Sequence, residues 1–558
     1  MTDSHVPLPL LDGTRAEEAF PTLTGAQVAR IAARGREREI PAGEVLFDAG
    51  DDIPFYVVIE GEIEITRPDG PKESIVVRHG PGQFTGEISM LSGRRALNRA
   101  RATRTTKLIE LDRESLLSVV QRDSELSDIL MRAFILRRTA LIARGIGDVV
   151  LVGSVHSSET LRIREFLAGN GYPFSYVDLD RDPDTQALLD RFRIAPEDVP
   201  VVICRGRTAL KNPTNQEIAD CLKLNAAIDA VHVRDVIVVG AGPSGLAAAV
   251  YAASEGLDVL VLESSSPGGQ AAASSKIENY LGFPTGVSGQ ELASRAYNQA
   301  EKFGAQVMIA RSAARLSCGR TPYAIELEGG PSIPARAIVL ATGAAYRKLA
   351  VENLARFEGA GVYYAATFLE SQLCGGEEVI VVGGGNSAGQ AAVFLAQTAR
   401  RVHVVVRSGG LSESMSRYLI QRIEETPGIV LHLDTQIVGL EGVEGLERVD
   451  WRNSKSGAAE SHEIRHVFVM TGADPNTRWL KGCVALDETG FIKTGPDLSA
   501  DDLARARWPL TRSPYPLETS LPGVFAVGDV RSGSSKRVAA AVGEGSSAIF
   551  SVHRVLAE

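Results

Sequence analysis

Hydrophobic and polar positions change their period three times along the chain. Between residues 36 and 112, short apolar runs are broken by turn glycines. Examples are Glu44-Val-Leu-Phe, Phe55-Tyr-Val-Val-Ile, Glu62-Ile-Glu-Ile and Ser74-Ile-Val-Val, a pattern that predicts an all-β roll or barrel. Helical spacing takes over from Arg113 to about Arg144. From Asp148 the pattern is mixed: a strand at Val149–Val152, a helix around Thr160–Leu167, a strand at Ser175–Leu179 and a helix at Thr185–Phe192. Then come Val199-Pro-Val-Val-Ile203 and a closing helix at Gln216–Leu224. Beyond Arg234, two Gly-rich strand–turn–helix units recur at 236–263 and 379–406, the signature of paired nucleotide-binding domains. The expected fold class is α/β multidomain: an N-terminal β-roll with helices, a small α/β unit, then two Rossmann-like domains.

Composition narrows the class. The 558 residues suggest three or four domains, and 44% hydrophobic with 23% charged residues fits a globular chain. The net charge of −10 speaks against a non-specific nucleic-acid binder. Residues 90–144 depart from this balance, with 12 Lys and Arg against 6 Asp and Glu. With a single aromatic, Phe134, among them, the expected reading is solvated helix faces, such as the run from Arg132 to Arg138. No apolar run is long enough to span a bilayer, and the first residues lack a signal-peptide pattern, so a cytoplasmic location is expected. Five scattered cysteines argue against a disulfide scaffold, and no metal site is read.

The first Gly-rich unit reads Asp235-Val-Ile-Val-Val-Gly240-Ala-Gly242-Pro243-Ser244-Gly245. A buried strand leads into the glycines and a helix follows, which brings backbone N–H groups against a pyrophosphate at the helix N-terminus. Its second strand ends in Glu263, placed to accept from a ribose hydroxyl. The second unit, Glu378-Val-Ile-Val-Val-Gly383-Gly-Gly385-Asn386-Ser387-Ala388, ends its second strand in Arg407 rather than an acid. An arginine there can pair with a 2′-phosphate, which favours NADPH over NADH; Arg417 is a further candidate.

Together with Ala341-Thr342-Gly343 and Gly528-Asp529, this double fingerprint resembles the low-molecular-weight thioredoxin reductases over residues 234–558. Gly268-Gly269-Gln270, Glu278-Asn279-Tyr280, Thr471-Gly472 and Lys536-Arg537-Val538-Ala539 also match. The resemblance implies FAD bound by a discontinuous domain at 234–350 and 480–558, an NADPH domain at 351–479, and a homodimer. The family's redox-active CxxC is missing: Ala365 and Phe368 stand at its two positions, and Cys374 nearby is single. Without paired sulfurs no dithiol relay runs there. Cys318 and Cys483 each have no cysteine within 20 residues.

Residues 146–230 resemble a glutaredoxin or thioredoxin fold, with Val199-Pro200 at its cis-proline position but no cysteine in the first turn, Gly153 to Thr160. Packing accounts for Cys204 and Cys221, and His156 reads as a turn residue. Residues 1–145 contain a roll that resembles the cyclic-nucleotide-binding domain. Phe84-Thr-Gly86-Glu87-Ile-Ser-Met-Leu matches its phosphate cassette, and Arg95, with Arg94 competing, is the candidate phosphate partner. That resemblance implies a cyclic nucleotide held by Gly86, Glu87 and Arg95, or a roll kept for docking.

Two readings follow. One is an FAD-dependent NAD(P)H oxidoreductase that passes electrons to a small-molecule or protein acceptor. The other is a non-catalytic redox or cyclic-nucleotide sensor that binds the same cofactors.

Overall fold

The computed structural model describes residues 13–558 apart from 70–71, 88, 93–95, 97, 144–148, 155–156, 180–194, 196–197, 205–207, 413, 444 and 481. Arg94, Arg95, His156 and the helix expected at Thr185–Phe192 lie outside the described residues.

The alternating segments near the N-terminus form two antiparallel sheets. One pairs Arg36–Ile40, Thr106–Leu111 and Phe55–Glu60. The other runs Val45–Phe47, Arg99–Ala102, Ile63–Asp69, Lys72–His79. Their inward positions, among them Tyr56, Val58, Ile63 and Leu108, close one core. The helices Arg113–Arg122 and Ser124–Ala143 cover its open side, where Phe55, Phe84 and Phe134 pack edge to face.

The next unit is a four-stranded sheet in the order Thr208–Lys211, Val201–Cys204, Val149–Gly153, Ser175–Asp178. The last two strands are parallel, joined through the helix Ser158–Gly169, and the other neighbours are antiparallel. The Val199–Pro200 peptide is cis. This unit is not a separate bead. Leu151, Phe166 and Leu222 share a core with Val236, Leu246 and Phe525 of the first nucleotide-binding lobe. Leu161, on the same helix, joins the core of the second lobe beside Tyr363, Ala366 and Cys374.

The two Gly-rich units each seed a parallel sheet. In the first lobe the order is Gln306–Ile309, Val259–Glu263, Arg234–Val239, Ser332–Leu340, with Tyr323–Leu327 and Ala313–Ser317 added antiparallel. Val524–Ala526, almost 200 residues later, returns to pair in parallel with Ser332–Leu340. The C-terminal helix Val538–Ala557 then packs along Pro243–Ser254. The second lobe orders Val362–Tyr363, His466–Val469, Glu378–Val382, Arg401–Val405, Ile429–His432, all parallel. Both central strands are continuous β-branched runs because both faces are covered. The two lobes are linked by the antiparallel pair Ala344–Tyr346 and Ala473–Pro475.

Two expectations are corrected. Cys318 and Cys483, 165 residues apart, form a disulfide. The sheet strand before Cys318 and the short helix before Cys483 converge on one core, which no local spacing could reveal. Arg137 and Arg138 are not solvated, at 4% and 7% exposure. Their helix lies between the roll and the middle unit, so its arginine face is interior. Among the described residues, no helix is long and apolar enough to cross a membrane.

Candidate functional site

The first glycine turn works by close approach. Gly240 has φ +102°, and a Cβ there would strike the Ala341 carbonyl. Gly245 abuts the Gly240 carbonyl, which lets the helix start directly on the strand. That helix has Gly242 as its N-cap with no side-chain cap, and Pro243 at its first position, so its N–H groups face outward.

These elements open onto a cavity of about 560 Å³. Gly240, Gly242, Pro243, Ser244, Glu263, Gly269, Gln270, Asn279, Thr342, Gly343, Asp529, Arg537 and Val538 all line it. Gly245 instead serves the helix–strand contact, and Gly528 sits against Ser244, where a Cβ would clash with its Oγ. Ala539 begins the C-terminal helix beside Val538 and is not among the lining residues.

Glu263 is buried at the end of its strand. Its carboxylate accepts from Ala241 N at 2.8 Å and Ser265 N at 2.8 Å. Burial pushes its pKa up, and these backbone donors oppose the shift. Burial likewise raises Asp529, opposed by the positive charge of Lys536. Gly528 N is held by Glu544 Oε2 at 2.7 Å, which positions the Asp529 turn. Gln270 donates to the Ala344 carbonyl.

Sequence reasoning missed Arg311, Ser312, Tyr346, Asn476, Trp479 and Lys536, all of which line the same cavity. Asn476 clamps Thr342 by accepting from its Oγ1 at 3.0 Å and donating to its carbonyl at 2.9 Å. No short motif marks it, because the contact spans 134 residues.

The second glycine turn repeats the geometry. Gly383 has φ +144° against the Met470 carbonyl, and Gly385 caps the helix Asn386–Leu395 without a side-chain bond. Asn386 Oδ1 accepts from Ser416 N at 2.7 Å. Ala388 is buried in the core of this lobe. Asn386, Ser387 and Gln390 also line the cavity of the first lobe, so the helix that follows the second glycine turn borders the same space as the first turn. Arg407 and Arg417 are exposed, and neither has a hydrogen-bond or ion-pair partner among the described residues.

Ala365 lines a smaller cavity of about 30 Å³ that shares Gln270, Ser274, Tyr346, Ser387 and Gln390 with the larger one. Phe368 points away and is 68% exposed. Cys374 is fully buried; burial raises its thiol to about 11 and its Sγ rests on the Ser371 carbonyl. A thiol so held is inert as a nucleophile. Cys204 is buried in the middle unit, and Cys221 is partly so.

In the roll, Gly86 has φ +101° and Glu87 turns towards Arg138, with 3.6 Å from Arg138 Nη1 to Glu87 Oε1.

Residues 234–545 match the family model of the pyridine nucleotide-disulphide oxidoreductases, and residues 37–123 match that of the cyclic nucleotide-binding domain. The chain is 33% identical over 331 residues to the thioredoxin reductase of Mycolicibacterium smegmatis, covering 58% of this chain and 97% of that one. It is 29% identical over 368 residues to the NADPH-dependent thioredoxin reductase 3 of Arabidopsis thaliana, covering 63% and 65%. The thioredoxin reductase structure of Lactococcus lactis superposes with a TM-score of 0.52 at 27% identity, over 58% of this chain and 99% of that one. The two lobes built on the paired glycine turns fall within these matches, and the chain belongs to the pyridine nucleotide-disulphide oxidoreductase family with a thioredoxin-reductase-like core.

Proposed function

We propose that this protein is an FAD-dependent NADPH oxidoreductase that hands electrons to an acceptor without a dithiol relay of its own. The observation that carries the reading is the shared cavity: the first glycine turn, with Glu263 and Asp529, and the second-lobe residues Asn386, Ser387 and Gln390 line one space. FAD fits this site, because Gly240 and Gly242 leave the space a pyrophosphate needs and Glu263 lies at the end of the neighbouring strand.

Residues 234–350 and 480–558 would form the FAD lobe and 351–479 the NADPH lobe, which the return of Val524–Ala526 to the first sheet supports. Ser244, Gly269, Gln270, Asn279, Thr342, Gly343, Arg537 and Val538 would line the flavin, with Ala539 behind them. Gly383, Gly385 and Asn386 would approach the NADPH pyrophosphate, and Arg407 with Arg417 its 2′-phosphate. When bound, the flavin supplies two-electron acceptance from a reduced nicotinamide and onward release. The chain's own part is to hold the two sites together: Tyr346 of the first lobe and Ser387 of the second line the same cavity, and Arg422 pairs with Glu278.

The five cysteines include no CxxC. Ala365 and Phe368 at its expected positions leave the acceptor external, a quinone, an electron-carrier protein, oxygen or a foreign disulfide. A homodimer and a cytoplasmic location belong to the same reading. Regulation from the roll would pass through Arg138, which donates to Gly171 O at 3.0 Å, and Asn170, whose Nδ2 lies 3.3 Å from Ser265 O, two residues beyond Glu263.

The test is the visible spectrum of the purified chain during anaerobic addition of NADPH and then NADH. Loss of the oxidised flavin band, followed by turnover with artificial acceptors, supports the oxidoreductase. Bound flavin that stays oxidised with both nucleotides supports the non-catalytic sensor, which the buried Cys374 and the missing dithiol favour. An apoprotein that binds no added FAD overturns both.

A further inference from the structure

The Cys318–Cys483 disulfide joins two segments that both reach the flavin cavity. Cys318 directly follows the strand Ala313–Ser317, and Cys483 comes shortly after the short helix Arg478–Leu480. The helix packs on the strand, and Leu316 and Leu480 enter the same core. At the other end of the strand, Ala313 lines the cavity, with Arg311 and Ser312 just before it. On the second segment, Asn476 and Trp479 line the same cavity. Trp479 Nε1 donates to Asn476 O at 3.1 Å, and Asn476 in turn holds Thr342. Immediately upstream, Ala473–Pro475 pairs with Ala344–Tyr346 and brings the chain back from the second lobe. The disulfide thus fastens the point of return to one wall of the cavity.

Its sulfurs lie where a thiol can reach them. Both cysteines are only partly buried. Gly319 and Gly482 beside them are exposed, and nothing stands within 4 Å of the place a Cβ would take at either. Thiol–disulfide exchange needs such an open approach to a sulfur. In the cytoplasmic setting of the proposed function, on which this inference rests, disulfides that persist are usually catalytic or redox-sensing rather than structural.

We propose that Cys318–Cys483 is a thiol-sensitive latch on the flavin cavity, closed when oxidised and loosened when reduced. The reductant is a dithiol. One of its thiolates attacks a sulfur of the bond, which forms a mixed disulfide and releases the other cysteine to take up a proton. The second thiol of the reductant then resolves the mixed disulfide. Two electrons and two protons pass to the protein, so the dithiol becomes a disulfide and Cys318 and Cys483 become thiols. The Cys483 Sγ lies 3.2 Å from Leu316 O, so reduction replaces a covalent bond there with a weak thiol contact. The walls that carry Ala313 and Trp479 then part more easily, and the flavin leaves faster.

The experiment uses the full-length holoprotein purified without reductant, before and after treatment with dithiothreitol. FAD release on dilution is followed by flavin fluorescence, and amide hydrogen exchange is measured around Asn476 and Trp479 in the same samples. Reduction should speed FAD release about tenfold, the effect of losing one ordering contact, and should speed exchange in that segment. Oxidised glutathione should reverse both changes. The double variant Cys318→Ser, Cys483→Ser should release FAD at the reduced rate and ignore dithiothreitol, which separates the latch from Cys204, Cys221 and Cys374. Should that variant not fold, chemical reduction of the wild type decides alone. A bond that resists dithiothreitol in the native protein is structural and overturns the proposal, as does reduction that changes neither release nor exchange. A chain that binds no FAD in either state refutes the flavin reading instead, and the exchange measurement then decides for or against the latch.

Discussion

The carboxyl of Glu165, on the middle unit, faces the carboxyl of Glu370, on the second lobe. Glu370 is fully buried, and its Oε2 already accepts from Thr367 N at 2.6 Å and from Thr367 Oγ1 within a helix-capping box. Its Oε1 is buried without a hydrogen-bond partner among the described residues, so two acids facing each other there favour the protonated form of one of them. One turn earlier, Leu161 enters the core of the same lobe. The middle unit is thus locked to the segment that carries Ala365 and Phe368.

Burial, followed by the charge of Glu370, raises the pKa of Glu165 from the usual carboxylate range to about 8. In that window the folded state holds a proton that the unfolded chain releases, so stability falls as pH rises from about 4.5 towards 8. Glu165 keeps solvent-exposed surface, which screens the repulsion. In Glu165→Gln the amide donates at every pH. The Tm of this variant should drop less between pH 6 and pH 9 than that of the wild type, by about 2–4 °C. Parallel melting curves would mean that Glu165 holds no such proton.

The parallel strands were legible because strands covered on both faces become runs such as Val236-Ile-Val-Val and Val379-Ile-Val-Val. The glycine turns were legible because each has a steric reason at its own position. The Cys318–Cys483 bond and the Asn476–Thr342 clamp were not, since both join segments more than 130 residues apart. The burial of Arg137 and Arg138 was hidden for another reason. A helix enclosed on two sides has no solvated stripe, and local charge counting cannot tell an arginine facing water from one facing a neighbouring domain.

Asn170 ties the middle unit to the first lobe, donating to Phe166 O at 2.8 Å and to Ser265 O at 3.3 Å. Asn170→Ala removes both contacts and should cost about 1–2 kcal/mol. Because Ser265 N also holds Glu263, the variant should release FAD more readily than wild type during dilution. Wild-type flavin retention in a destabilised variant would confine the role of Asn170 to folding.

The Cys318–Cys483 bond joins two segments of the first lobe and closes a loop of 165 residues that contains the whole second lobe. Its removal by Cys318→Ser should cost about 2–5 kcal/mol. A thiol titration in denaturant checks the pairing directly. The unreduced protein should give three thiols, from Cys204, Cys221 and Cys374, and the reduced protein all five. Five thiols before reduction would remove the bond from the account.

Arg407 follows the second-lobe strand Arg401–Val405, exposed and without a partner among the described residues, so its charge is available to a ligand. Loss of one charge-assisted contact corresponds to about tenfold or more in affinity. Arg407→Ala should therefore raise KM for NADPH on the order of tenfold and leave KM for NADH unchanged, with a smaller effect from Arg417→Ala. Equal effects on both nucleotides would move the 2′-phosphate site elsewhere.

Ala365 and Phe368 allow the missing relay to be tested by restoring it. Ala365 lines the small cavity beside Gln270, and Phe368 opens the helix Phe368–Leu373 directly after its cap Thr367. A cysteine at 365 would thus face the flavin side, and one at 368 would replace an exposed ring, at little cost to the core. The double variant Ala365→Cys, Phe368→Cys should form a disulfide that NADPH reduces through the flavin, and it should gain reductase activity towards an aromatic disulfide reagent. Each single variant should lack that activity, because the relay needs both sulfurs. A double variant whose disulfide forms but resists NADPH would show that electrons leave the flavin by another face, and the external acceptor would then be sought there.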